Sequence, residues 1–289
     1  MGDEEEAPCR VHSKIATERK SFGTIEVVHR ARAQRLSCIC ATTCETGRIG
    51  NEMKFSKALG FTAGAALGGV SAAAAYGTVA KSSQMFGPSV FRGPGKRKSI
   101  ALTFDDGPSE RTPELLEYLE KEGVSATFFQ CGMHVKRLPH VAGQVAAAGH
   151  EIGNHTYSHP RLPFKSPEFI DREFSEAQLV IQAETGVTPT LLRAPYGFRW
   201  LGLRAVQEKL LLLGVMWTVI GYDWRWPTEK VSEYVVRCSS PGGIICLHDG
   251  RGASLNPDIG NTIAAVKEIV PRLREQGYRF ETVTALLEG

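Results

Sequence analysis

Two adjacent carboxylates, Asp105 and Asp106, follow an apolar run in the segment LTFDDGP. Successive side chains of a strand point to opposite faces, and neighbouring anions repel each other. The two acids can share one site if the strand ends at Asp105, the chain turns at Gly107-Pro108, and a cation lies between them. A solvated Asp-Asp-Gly-Pro turn is the simpler alternative. The other polar clusters of the sequence decide between these interpretations.

Two histidines, His155 and His159, occur in the segment NHTYSH. Side chains at positions i and i+4 lie on one side of a helical turn, so both imidazoles could reach one metal ion. Surface histidines are the alternative for a single pair at this spacing. Together with Asp106, the imidazoles would form a three-ligand metal site with room for water, which would leave Asp105 free to act as a base.

Apolar segments alternate with helical patterns from residue 100 onward. The predicted strands are 100–104, 126–130, 150–154, 190–193, 215–220, 243–247 and 278–283. Between them, Thr112 is predicted to cap a helix that starts with Pro113, and further helices are predicted at 141–148, 166–186, 201–212, 228–238 and 261–276. Strands that alternate with helices pair in parallel, as a barrel or as an open sheet.

The polar clusters of this part of the chain come directly after predicted strands. They are Asp105-Asp106, His155, Arg193, Asp223 and His248. Parallel barrels place their chemistry at the carboxyl ends of the strands, and solvation alone does not explain such a distribution. The sequence therefore predicts one active site.

Composition sets few limits on function. The chain has 289 residues and a formal net charge of +3, which is too small to indicate nucleic acid or another acidic partner. Its seven cysteines include no C-x-x-C pair, so neither a zinc ribbon nor a disulfide framework is indicated.

The first hundred residues differ from the rest in pattern. Residues 1–52 lack apolar periodicity and are expected to be disordered or a spurious extension, with translation starting at Met53. Residues 53–80 carry a basic start and an uncharged stretch at 58–80, typical of a signal peptide or a membrane signal-anchor; a buried soluble helix is disfavoured because the stretch has no polar face. Residues 81–97 are predicted to be a linker, and 98–289 a catalytic domain that is exported to the periplasm, the cell surface or the medium.

The segments TFDDGP, HTYSH, RAPYG, YDW and LHD occur in this order. They resemble the five motifs of the polysaccharide deacetylases, carbohydrate esterase family 4, over about residues 98–287. The resemblance implies an α/β fold, a distorted and incompletely closed (β/α) barrel of about seven units with a groove for a polymer. It implies removal of N-acetyl groups from N-acetylglucosamine units of chitin-type oligosaccharides or peptidoglycan, with no obligate protein partner.

The resemblance also implies a role for each motif residue. Asp106, His155 and His159 would hold a divalent ion, zinc or else cobalt. Asp105 would be the general base, oriented by Arg193, and His248 the general acid, held by Asp223. For substrate binding, the Tyr196 backbone N–H would stabilise the oxyanion, Trp224 and Leu247 would wall the acetyl pocket, and Pro195 is assigned with them.

Two positions depart from the family pattern. Ile220 stands where many members carry an acid, and Cys246 stands where a larger aliphatic residue is usual. Three alternatives stay open: an acetylxylan-type O-acetyl esterase, a catalytically silent sugar-binding module, and a cyclic-imide or ureide amidohydrolase on a related barrel. Retention of Asp105 and His248 argues against the silent module, and the open groove and export signal argue against the amidohydrolase.

Overall fold

The computed structural model describes residue 69 and residues 71–289, which fall in one compact unit, Ala66–Gly289. The predictions for residues 1–52 and for most of 53–80 lie outside the described residues. Residues 71–79 are helical (α1). Within the described part of the chain, no helix has the length and apolar character needed to cross a membrane.

Strands and helices alternate along the chain as the sequence predicts. The strands are β1 (Ser89–Val90), β2 (Ser99–Asp105), β3 (Thr127–Gln130), β4 (Glu151–Asn154), β5 (Leu191–Leu192), β6 (Leu213–Val215), β7 (Val219–Ile220), β8 (Gly243–His248) and β9 (Arg279–Glu281). The helices are α2 (Thr112–Lys121), α3 (Gly132–Arg137), α4 (Pro139–Ala147), α5 (Pro167–Thr185), α6 (Leu203–Leu210), α7 (Thr228–Cys238), α8 (Gly260–Glu275) and α9 (Val283–Glu288), with a 3₁₀ turn at Pro195–Gly197.

The strands form one parallel sheet in the order β1-β6-β5-β4-β3-β2-β8-β7, with β9 beside β2. Six strand spacings separate β6 from β7, which in a flat sheet would be about 29 Å. Only residues 216–218 connect these two strands, and the four chain steps from Val215 to Val219 span at most about 14 Å. The sheet must therefore curl, and the predicted barrel-type fold is confirmed as a curled, open barrel.

Side-chain alternation divides each central strand between two layers. On β2, Ile100, Leu102 and Phe104 pack against the helices in the largest apolar cluster. Ala101 instead faces the barrel interior with Phe129 and Ile244. Residues of β2 at both faces are buried, which is the pattern expected of a strand covered on both sides.

Three local predictions are wrong in their details. The single strand predicted at 215–220 is two strands, β6 and β7, separated by residues 216–218, and Arg193 donates to the carbonyl oxygens of Val215 and Met216 at this break. Helices α3 and α9 were not predicted, because they are short and lack the long apolar repeat from which helices were predicted. Thr112 is the first helical residue rather than the cap, and its hydroxyl donates to Asp249 Oδ2 at 2.8 Å.

The segment predicted to be a linker at 81–97 packs on the barrel. Its strand β1 pairs with β6, and Met216 N donates to Val90 O at 2.7 Å. The buried Arg199 guanidinium donates to Ser83 O at 2.6 Å and to Ser89 Oγ at 2.9 Å. Residues from Ser83 onward therefore belong to the catalytic domain, earlier than the boundary expected at residue 98.

Candidate active site

Strand β2 ends at Asp105, and the next residue turns the chain. Asp106 has a left-handed backbone with φ 73°, so its side chain does not take the opposite face of a continuing strand. Gly252 N donates to Asp106 Oδ2 at 2.7 Å, and Asp249 N donates to Asp105 O at 3.0 Å. The two adjacent carboxylates thus reach one cleft.

His155 and His159 lie on a loop after β4, and the predicted helical turn is wrong. Thr156 and His159 both have positive φ, 68° and 57°, which a helix excludes. The loop is folded by the buried Glu173 carboxylate of α5, which accepts hydrogen bonds from Tyr157 N at 3.1 Å and from Ser158 N at 2.8 Å. The two imidazoles still converge, but through loop geometry.

Asp106, His155 and His159 form a compact group of three potential metal ligands. The Nε2 atoms of His155 and His159 lie 3.2 and 3.0 Å from Asp106 Oδ1. His155 Nδ1 donates to Arg193 O at 2.7 Å, so in a neutral imidazole its Nε2 carries a lone pair directed at a carboxylate oxygen. Two acceptors so placed need a proton or a metal ion between them, and two imidazole nitrogens with one carboxylate oxygen fit a zinc-type ion.

The electrostatics of Asp106 agree with this geometry. Burial raises the pKa of Asp106, but its hydrogen bonds with His155 and His159 outweigh burial and hold the pKa well below its ordinary value. Asp106 is therefore an anion at neutral pH and is able to bind a cation.

Arg193 connects Asp105 to the rest of the barrel. Its buried guanidinium donates from Nη1 to Asp105 Oδ1 at 2.6 Å and to Thr103 Oγ1 at 2.7 Å, and lies 4.2 Å from the Phe129 ring centroid. Its backbone oxygen accepts from His155, so one residue touches both halves of the site. A buried charge pair with this many hydrogen bonds fixes the direction of the Asp105 carboxylate.

On the other side of the cleft, His248 pairs with Asp223. Asp223 Oδ1 lies 2.8 Å from His248 Nδ1, and Asp223 Oδ2 accepts from Thr262 Oγ1 at 2.5 Å. Burial lowers the pKa of His248, but the Asp223 charge and hydrogen bond outweigh burial, and the pKa rises to about 9. Trp224 lies edge-on to the imidazole, with ring centroids 4.7 Å apart. The Asp223 carboxylate therefore favours the imidazolium form of His248.

A cleft of about 640 Å³ joins these groups. The predicted site residues on its wall are Asp105, Asp106, His155, His159, Tyr196, Trp224 and His248. Arg193 and Asp223 lie behind this wall, where they contact Asp105 and His248. Leu247, which was predicted to wall the acetyl pocket, and Pro195, which was assigned to substrate binding, are not among the residues that line this cleft. Because His248 faces inward, alternation turns Leu247 to the helix layer, and Cys246 faces the cleft instead.

Left-handed backbone conformations concentrate at this cleft. Asp106, His159, Tyr196 and Tyr222 all line it, and all have φ between 53° and 73°. For a residue other than glycine such a conformation costs on the order of 1–3 kcal/mol and persists where the surrounding structure imposes it. The concentration of strain identifies the cleft as a functional site.

Two buried carboxyl groups of the site were missed in the sequence. Glu173 lies three residues after Ile170 and four before Ala177 on the buried face of α5, and a charge within an apolar stripe is a signal that could have found it. Asp249 follows His248 directly. Burial raises the pKa of Asp249, the hydrogen bond from the Thr112 hydroxyl lowers it, and the nearby negative charges raise it further, to about 7.

Comparisons with known proteins agree with this arrangement. A family model described as polysaccharide deacetylase matches residues 92–213. A peptidoglycan-N-acetylglucosamine deacetylase of Bacillus cereus is 32% identical over 206 residues, which cover 68% of this chain and 71% of that protein. A chitooligosaccharide deacetylase of Azorhizobium caulinodans is 35% identical over 194 residues, covering 64% of this chain and 92% of that protein.

Solved structures give the same result for the fold. A peptidoglycan N-acetylglucosamine deacetylase in complex with a substituted N-hydroxybenzamide superposes with a TM-score of 0.64 at 31% identity, covering 68% of this chain and 92% of that one. A CE4 family pseudoenzyme from Bacillus anthracis superposes with a TM-score of 0.63 at 29% identity, covering 69% of this chain and 68% of that one. The chain therefore belongs to the polysaccharide deacetylases, the carbohydrate esterase family 4 hydrolases that act on N-acetyl groups.

Proposed function

We propose that the protein is a divalent-metal-dependent deacetylase that removes acetyl from N-acetylglucosamine units of chitin-type oligosaccharides or peptidoglycan. The observation that carries this proposal is the convergence of two imidazole nitrogens on Asp106 beside an Arg193-bound Asp105. A catalytically silent relative needs neither a separately oriented base nor a charged histidine opposite it. The names of the relatives in both substrate classes support the substrate assignment.

The metal ligands in this proposal are Asp106, His155 and His159, and zinc suits their donor set, with cobalt as a substitute. A divalent ion held there supplies Lewis-acid activation of water and of the acetamide carbonyl. The His155 ring is held by its bond to the Arg193 carbonyl, which fixes the tautomer with Nε2 available. Asp106 contributes the one negative charge of the ligand set.

Asp105 acts as the general base. Its Oδ1 accepts from Arg193, and its Oδ2, which lies 3.4 Å from the Cys246 thiol, is the oxygen that accepts the proton of the attacking water. Arg193 fixes the direction of this carboxylate, so that the water oxygen is activated at one place in the cleft. The Tyr196 backbone N–H donates to the oxyanion that develops on the acetamide oxygen.

His248 acts as the general acid. Asp223 binds Nδ1, so Nε2–H carries the proton to the departing amine when the carbon–nitrogen bond breaks. An imidazolium is needed because an amine anion is a poor leaving group, and the Asp223 carboxylate favours this charged form. Trp224 and Cys246 line the cleft with His248, and they would face the acetyl methyl group of a bound substrate.

The domain layout is part of the proposal. Residues 53–80 act as the export signal or as a membrane anchor, and the catalytic domain works outside the cytoplasm on a carbohydrate polymer. N-terminal sequencing of the native protein tests this layout. A mature chain that retains residues 1–52 would contradict it.

The decisive experiment measures acetate release from chitooligosaccharides, peptidoglycan and acetylxylan in parallel, before and after chelation. We expect release from an N-acetylated glycan, loss of release with the chelator, and recovery with zinc. Asp105→Asn is the matched variant, because it retains the size of the side chain and loses the base. Release from acetylxylan alone would assign the esterase alternative, and equal release by wild type and Asp105→Asn would refute the mechanism.

A further inference from the structure

A thiol lies between the base and the acid of the cleft. Cys246 is 1% exposed and points into the barrel from β8, with Sγ 3.4 Å from Asp105 Oδ2. Cys246, Asp105 and His248 each offer a ligand atom, and these three atoms lie within 4.8 Å of one another. This group shares no residue with Asp106, His155 and His159.

The donor set of this second group suits a soft divalent ion. A thiolate, an imidazole nitrogen and a carboxylate oxygen are zinc ligands, and the thiolate favours zinc and cadmium over hard cations such as magnesium. Asp223 binds His248 Nδ1, so Nε2 is the nitrogen available, and Arg193 binds Asp105 Oδ1. Two of the three donors are thus held in place by hydrogen-bond partners before any ion arrives.

We propose that Cys246, His248 and Asp105 form a second, inhibitory binding site for a thiophilic divalent cation. On binding, the Cys246 S–H bond breaks, its proton leaves to solvent, and the sulfur lone pair forms the bond to the ion without any change of oxidation state. His248 binds as the neutral imidazole and releases its proton as well. One ion therefore occupies both the base and the acid, and catalysis stops.

The inference rests on the proposed function only for its inhibition assay. The full-length chain, loaded with one equivalent of zinc, is titrated with further Zn²⁺ and, separately, with Cd²⁺. We follow acetate release, bound metal per chain, and the sulfur-to-cadmium charge-transfer absorption. Wild type should bind a further equivalent, gain the absorption and lose activity.

Cys246→Val removes the thiol and retains an apolar side chain. Because even the loss of an outer-sphere partner lowers metal affinity by about 10–100-fold, loss of the thiolate should raise the half-inhibiting Zn²⁺ concentration at least about tenfold. Cys246→Ser, which keeps a hydrogen-bond donor toward Asp105, should lose the absorption too. The matched control is Cys238→Ser, a half-buried cysteine on α7 outside the cleft lining, which should behave as wild type.

The difference between wild type and Cys246→Val is the quantity of interest, because the full chain has seven cysteines. Equal stoichiometry, absorption and inhibition in the two proteins would overturn the second site and leave the proposed function standing. A difference in absorption and stoichiometry without acetate release under any metal would support the second site and refute the proposed function.

Discussion

Replacing Asp223 by Asn tests the charge relation between Asp223 and His248. As the proposed general acid, His248 must be protonated, so activity should fall as the pH rises through its pKa, which Asp223 raises from 6.5 to about 9. An ionised partner within about 4–6 Å shifts a pKa by about 1–3 units, and the two side chains are 2.8 Å apart. Asp223→Asn keeps the size and an acceptor for Nδ1–H but removes the charge.

We therefore expect the alkaline limb of the kcat/KM profile to move toward lower pH by about 1–3 units. This shift corresponds to a loss of about 1.4–4 kcal/mol in the free energy by which the fold favours the imidazolium over the neutral imidazole. A divalent cation at Asp106 also disfavours the imidazolium, so the prediction concerns the difference between variant and wild type rather than either absolute value. The acidic limb should move much less, because the altered side chain binds His248.

The assay is a pH series of kcat/KM on one N-acetylated oligosaccharide for wild type, Asp223→Asn and a control. Asp171→Asn is the matched control, since Asp171 is an exposed acid paired with Lys209 on the helix surface. It should leave both limbs in place. An alkaline limb that is unmoved in Asp223→Asn would mean that Asp223 does not govern the acid, and the role of His248 would have to be reassigned.

Three further predictions follow from described contacts. His159→Ala should lower zinc retention during dialysis, measured as metal per chain, and undiminished retention would exclude His159 as a ligand. Arg193→Met should lower the free energy of unfolding, measured in urea, by about 3–5 kcal/mol, because it leaves the buried Asp105 carboxylate unpaired. The control Lys209→Met, at an exposed ion pair, should lower it by less than about 1 kcal/mol. Similar losses in the two variants would refute the buried-pair argument. Gly107→Ala should lower the melting temperature, since a Cβ there would overlap the Asp249 carboxylate, and an unchanged melting temperature would contradict this packing.

Most helices and strands could be predicted from the sequence, because the residues that begin and end them lie within or next to the element itself. Ser166 caps α5 through Phe169 N at 3.2 Å, and Gly186 ends that helix in a left-handed conformation with φ 72°. The break between β6 and β7 had no such signal, and the Arg193 side chain that donates to its carbonyl oxygens is more than twenty residues away in the sequence. Interactions over such sequence separations cannot be predicted from a short window.

The candidate site divides in the same way. Strand ends predicted that Asp105, His155 and His248 would meet, since the carboxyl ends of parallel strands share one rim. The shape of the histidine loop depends on Glu173 from another element, so spacing alone gave the wrong backbone. The outward orientation of Leu247 could have been predicted from the sequence, because successive side chains of a strand point to opposite faces and His248 points inward.

The strand β1 has a practical consequence for expressing the domain. A fragment that begins at residue 98, where the motifs suggest a boundary, lacks the strand that covers β6 and lacks the carbonyl of Ser83 that receives the Arg199 guanidinium. It would present an uncovered backbone edge, which is a template for self-association, and an Arg199 guanidinium without its acceptors. Poor solubility of such a fragment would reflect where it was cut, and a soluble fragment needs to start upstream of Ser83.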